Sequence, residues 1–135
     1  MEVTMLRISR SILFLLVVLI LYIQNANAVS FADLSKVAND FNKTLPRMLN
    51  SETQCVSVAA LENTLLYKYV LVNYRSSQIT AQYIQKLVAN DTRNGVCSNP
   101  STRKLLKAGV AMVYSYYSAD GFYITEIPVH ETDCH

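Results

Sequence analysis

The sequence predicts a two-layer α+β domain behind an export signal, with helices packed on a four-stranded antiparallel sheet in the order α-ββ-α-α-ββ. Three observations carry this expectation. The first 28 residues have the three-part form of a secretory signal. The rest alternates between stretches whose apolar residues recur three and four apart and stretches where they recur two apart. Two pairs of the latter are joined by short polar turns, one containing Asp120-Gly121, a strong hairpin signal. Four such strands cannot hide both faces alone, so the helices are expected to cover one side.

The signal comes first. Met1–Arg10 is basic, and residues 11–23 (SILFLLVVLILYI) run for 13 positions without a charge. Ala26-Asn27-Ala28 then places small residues where a signal peptidase requires them, so cleavage is expected before Val29. A membrane-spanning helix wants about 20 apolar residues, more than this run supplies. No cysteine follows the cut, so no lipid-modified N-terminus is expected. The mature chain, residues 29–135, is read as a single domain of 107 residues, enough for one modest core.

Ser30 can cap a first helix, with Asp33 in its first turn. Phe31, Leu34, Val37/Ala38, Phe41, Leu45 and Met48 follow at helical spacing, with Pro46 expected to kink or restart the helix. Thr53–Ala60 reads as a strand with Val56 and Val58 on one face and Cys55 and Ser57 on the other. Leu65–Tyr74, rich in aromatic and β-branched residues, completes a hairpin. Lys68 interrupts the Leu66, Val70, Val72 face, so this strand is expected to be central but not dry. Next, a stripe of Ile79, Tyr83 and Leu87, with Ile84 and Val88 alongside, follows capping candidates at Ser76, Ser77 and Thr80. It is expected to end in the polar run 90–95, Gly95 taking the left-handed position past the helix end. Asn99-Pro100 is a cap and first-turn proline for a short helix over 101–108, closed by Gly109. Residues 110–117 and 122–129 form the second hairpin. Pro128 cannot donate to a ladder, so the last strand should be an edge.

Composition excludes several classes of function. The whole chain carries 12 Lys/Arg against 10 Asp/Glu, with no basic stripe, so nucleic acid is not an expected partner. No Gly-x-Ser-x-Gly, His-Glu-x-x-His, Cys-x-x-Cys or phosphate-binding glycine loop occurs. The two histidines, His130 and His135, both lie in the tail, and no motif flanks Cys55. No catalytic residue, cofactor or metal is therefore assigned, and the chain is not read as an enzyme.

What remains is an exported binding or interaction module, periplasmic or secreted, with a protein partner and no membrane contact beyond the signal peptide. Its candidate binding face is Tyr67, Tyr69, Tyr114 and Tyr116, which fall two apart on two strands; the competing reading makes these rings sheet core. In an oxidising compartment two of the three cysteines are expected to pair, and Cys97–Cys134 is the favoured bridge because it ties the last strand to the helical layer. Cys55 would then be a buried thiol or one open to an intermolecular bond. Two alternatives stay open: an envelope thiol or metal-binding protein using Cys55 or the His130–His135 tail, and a structural subunit of an envelope assembly. Asn42-Lys43-Thr44 and Asn90-Asp91-Thr92 match the glycosylation acceptor pattern.

Overall fold

The computed structural model describes residues 28–135; the signal-peptide reading, apart from Ala28, lies outside them. Helix α1 (Phe31–Asn42) starts as expected, Ser30 accepting from the Asp33 amide at 3.1 Å. Its amphipathic pattern does not carry past Asn42, because that side chain leaves the helix surface for the sheet. Asn42 Nδ2 donates to the Val58 carbonyl at 2.7 Å, and its Oδ1 accepts from the Val58 N–H at 2.8 Å. Leu45 and Pro46, joined by a cis peptide, lead into a two-residue strand β1 (Arg47–Met48) rather than a restarted helix.

Strands β2 (Thr53–Leu61) and β3 (Thr64–Leu71) form the expected hairpin, with Asn63 in its turn at φ 53°. Val56 and Val58 do not share a face as the simple alternation suggested. A bulge between Cys55 and Ser57 makes Val56 an extra residue, so Cys55 and Val58 both turn inward, opposite Tyr69 and Tyr67.

Three helices follow, where two were expected. Helix α2 (Ala81–Leu87) is capped by Thr80. Helix α3 (Ala89–Ser98) then runs straight through the polar stretch read as a helix end, and Gly95 does not have a positive φ. Ala89 and Val96, two turns apart, are its buried positions, and Asn90, Asp91 and Asn94 between them are exposed. Burial of one stripe and the anchoring of Cys97 override the poor propensity of that run. Helix α4 (Pro100–Lys107) has the predicted cap: Asn99 Oδ1 accepts from the Ser101 and Thr102 amides. Gly109, at φ 85°, closes it in the left-handed conformation that glycine adopts without strain.

Strands β4 (Ala111–Ser118) and β5 (Tyr123–Val129) are the second hairpin, with Gly121 at φ 87° in the turn. The sheet has five strands in the order β1-β2-β3-β4-β5 and is mixed, not wholly antiparallel. β3 and β4 are parallel, Leu65 opposite Met112 and Tyr69 opposite Tyr116. The cause is the helical crossover between them, which returns the chain to the end where β3 began.

The inner face of the sheet carries the core. Leu65, Met112, Ile127 and Val129 are completely buried there, joined by Leu34 of α1, which packs over β2 and β3. Helices α2 and α3 pack over the β5 side, with Ile84 and Ala89 inward. Beyond Val129 the tail turns through a short 3-10 helix (Glu131–Asp133), held by an ion pair of 2.8 Å between Arg103 and Glu131. Cys97 and Cys134 are bridged, so the tail is fastened to α3 as expected.

A candidate binding cleft beside α2

The four tyrosines singled out in the sequence do meet. The Tyr67 and Tyr114 rings stack at 4.9 Å, and Tyr69 reaches both Tyr114 and Tyr116 at 5.5 Å. Parallel pairing of β3 with β4 puts each ring beside its counterpart, and Phe41 of α1 closes edge-on over Tyr67 at 6.0 Å. They lie on the inner face, under the helices. Tyr67, Tyr114 and Tyr116 are 7, 6 and 3% exposed, and only Tyr69 is half-buried. Burial pushes the Tyr67 phenol up to about 12 and raises Tyr69 and Tyr114 as well, each also disfavoured by a neighbouring ionisable group. Tyr116 is raised by burial too, partly offset by a hydrogen bond with Thr92 of α3.

At one end of this cluster the cover is incomplete. The segment Asn50–Thr53 and helix α2 face each other across a cleft of about 240 Å³. Its floor is Leu71, Tyr74, Ile79 and Tyr116, and its α2 wall is Tyr83, Ile84, Leu87 and Val88. Tyr83 and Leu87, four residues apart on one helix face, are 50 and 53% exposed. Met48 and Leu49, just before Asn50, add exposed apolar surface on the other side. The opposite wall is rigid: Asn50 Oδ1 accepts from the Glu52 and Thr53 amides, and Val72 N–H bonds the Glu52 carbonyl.

Polar and apolar surface line the cleft in about equal parts. Its one ionisable carboxylate, Glu52, accepts from the Tyr74 hydroxyl at 2.9 Å, which raises that phenol. A cleft that sets exposed apolar side chains beside fixed polar groups suits recognition of a segment of another molecule. Paired acid and base, or a nucleophile with its activating base, are not assembled here.

The sequence pattern read Tyr83 and Leu87 as part of a buried stripe. The structure buries Ile79 of that stripe, but Ile84 and Ala89 complete the inward face and that pair is left outward. A wide apolar arc on a short helix was the available signal, since Ile84 and Val88 already supply an inward face.

The remaining candidate residues lie apart from the cleft. Cys55 is 3% exposed on the inner face, and burial raises its thiol against the pull of Arg47. Cys134 is committed to the bridge with Cys97. His130 donates its backbone N–H to Asp133 at 2.8 Å, and His135 is exposed. Among the described residues no group of three His, Cys, Asp or Glu side chains could hold a metal ion. Asn42 spends its amide on Val58, whereas Asn90 is exposed on α3.

A family model described as "Putative quorum-sensing-regulated virulence factor" matches residues 26–135, and the chain belongs to that family. No curated protein matches in a sequence comparison. Among solved structures, a "putative secreted protein" from Pseudomonas aeruginosa is similar at a TM-score of 0.64 and 23% identity, over 76% of this chain and 89% of that one. The type 2 secretion system pilotin EpsS from Vibrio vulnificus is similar at 0.62 and 14% identity, over 76% and 88%. The type II secretion system pilotin AspS from Vibrio cholerae follows at 0.59 and 14% identity, over 75% and 88%. These likenesses establish a shared fold.

Proposed function

We propose that this family member is an exported, non-enzymatic protein of the cell envelope that works by holding a segment of a partner protein in the cleft beside α2. The observation that carries the reading is the exposed Tyr83–Leu87 pair set across the cleft from the Asn50–Thr53 wall, over a floor containing Tyr116. Large apolar side chains left in water on a rigid frame mark interaction sites, and aromatic anchors dominate binding energy in such places. The signal-peptide reading of residues 1–28 supports export to the periplasm or beyond. The fold shared with two pilotins of type II secretion systems supports a role in an envelope assembly.

In this reading the tyrosine set has divided duties. Tyr116 offers its ring to the cleft, Tyr69 packs edge-on behind it, and Tyr114 and Tyr67 in turn pack against Tyr69 and each other. The alternative of a thiol or metal protein gains less support, since the Cys55 thiol is buried and Cys134 is bonded.

The test is photo-cross-linking in the exporting cells. A cross-linking amino acid at Leu87 is expected to give one adduct of discrete mass, and the same group at Lys107 on α4 none. Tyr83→Asp, a change at a half-exposed position, should weaken the Leu87 adduct while the chain still folds. No adduct from Leu87, or equal adducts from both positions, would contradict the proposal.

A further inference from the structure

The helices cover one face of the sheet, and the other is bare. Pointing away from the core are Leu66 and Val70 of β3, Val113 and Tyr117 of β4, and Tyr123 and Pro128 of β5, all exposed or half-buried. Tyr117 and Tyr123 meet edge to face at 5.6 Å. Strands β3, β4 and β5 carry two charges on this face, Lys68 and Glu126, and their placement is not random. Lys68 pairs with Ser115, and Ser115 pairs with Glu126, so the three form one row across β3, β4 and β5. The serine is in the middle and opposite charges stand one strand to either side.

We propose that two copies of the chain pair through this face, about a two-fold axis running along β4 at Ser115. Such an axis lays β3 of each copy over β5 of the other, so Lys68 meets the second copy's Glu126, and the contact occurs twice. The row is self-complementary only about that position. Ser115 is small and 5% exposed, which lets the two sheets approach at the axis. Lys68 Nζ is held 4.3 Å above the Tyr117 ring, keeping the ammonium against the sheet rather than out in water. Apolar residues above and below the row supply the buried area.

Pairing through the strand edges is disfavoured by the same structure. Asn42 occupies both backbone groups of Val58 on the β2 side, and Gln85 of α2 donates to the Glu126 carbonyl at 2.8 Å on the β5 side. Pro128 offers no N–H on that edge strand. The face is the open surface.

Sedimentation of the oxidised mature chain tests this. The wild type is expected to show a monomer–dimer equilibrium, and Lys68→Glu and Glu126→Lys should each raise the dimer Kd about tenfold or more, each change acting twice across the axis. Both residues are exposed, so both variants should keep the wild-type circular dichroism. The double exchange K68E/E126K should restore the Kd to within about threefold of the wild type. Ser115→Arg, at the axis, should abolish pairing. A chain that stays monomeric to about 1 mM overturns the proposal, as does a dimer unmoved by the single charge changes or unrescued by their combination. So does a face that captures a different protein while the chain itself remains monomeric.

Discussion

Tyr116 and Tyr117 are neighbours on β4, yet they belong to different environments. Tyr116 is 3% exposed, its phenol bonded by Thr92 of α3; Tyr117 stands on the bare face beside Tyr123, with Lys68 over its ring. The same contrast runs along β3. Leu65, Tyr67 and Leu71 of β3 are buried, while Leu66, Lys68 and Val70 between them are not. A strand sends successive side chains to opposite faces, but residue type does not decide which face is inside. The helices decide. An aromatic residue under α1 to α3 is core, and one on the other face is surface held ready for contact.

The largest expected separation between the faces is in stability. Tyr114→Ala removes a stacked ring, 6% exposed, from the centre of the inner cluster and should cost about 3–5 kcal/mol in urea denaturation. Tyr117→Ala on the outer face should cost about 1 kcal/mol or less. Equal losses would break the comparison.

Removing the bridge ranks next. Cys97→Ala with Cys134→Ala opens a loop closed across a sequence separation of 37 residues and should lower stability by about 3–4 kcal/mol. The same loss should appear when the wild type is denatured with reductant present, and Cys55→Ala should not reproduce its dependence on reductant.

Alkaline pH tests the inner face without mutation. A phenol raised above its usual value near 10 binds its proton more tightly folded than unfolded. Its stabilising effect is therefore complete below pH 10 and fades as pH rises toward 12, where Tyr67 titrates. For Tyr67 this amounts to about 2–3 kcal/mol, and Tyr69 and Tyr114 act in the same direction. Absorbance at alkaline pH should show the phenols of the cluster ionising only with unfolding. A single smooth titration in the folded chain would contradict the burial.

These contrasts also mark what the sequence discloses. The caps at Ser30, Thr80 and Asn99, the Asp120-Gly121 hairpin, the edge position of Pro128 and the meeting of four tyrosines rest on local chemistry and on period-two spacing, and all were legible. Three features were not. The parallel join of β3 to β4 depends on how three helices return the chain, which no local pattern encodes. The bulge at Val56 put Cys55 on one face with Val58 and not with Ser57, because one inserted residue shifts every later side chain. Helix α3 formed through a run of weak helix formers, since Ala89, Val96 and Cys97 tie it down. The cleft was hidden for a related reason: spacing alone could not tell which of Tyr83 and Ile84 would face the sheet.

Smaller effects concern the edge. Asn42→Ala should cost about 1–2 kcal/mol by leaving the Val58 backbone groups without their partners, and it should raise aggregation on concentration because the β2 edge is opened. Asn90→Ala, at an exposed helix position, should change neither. Thermal melts with light scattering separate the two.

The most direct measurement is a map of tyrosine nitration in the folded, oxidised chain, read residue by residue by mass spectrometry. The account predicts fast modification of Tyr83 and Tyr123, which are 50 and 54% exposed, and protection of Tyr67, Tyr114 and Tyr116 until the chain unfolds. Modification of Tyr67 or Tyr114 at the rate of Tyr123 would contradict it, because the cluster would then be open surface and not the core that supports the cleft.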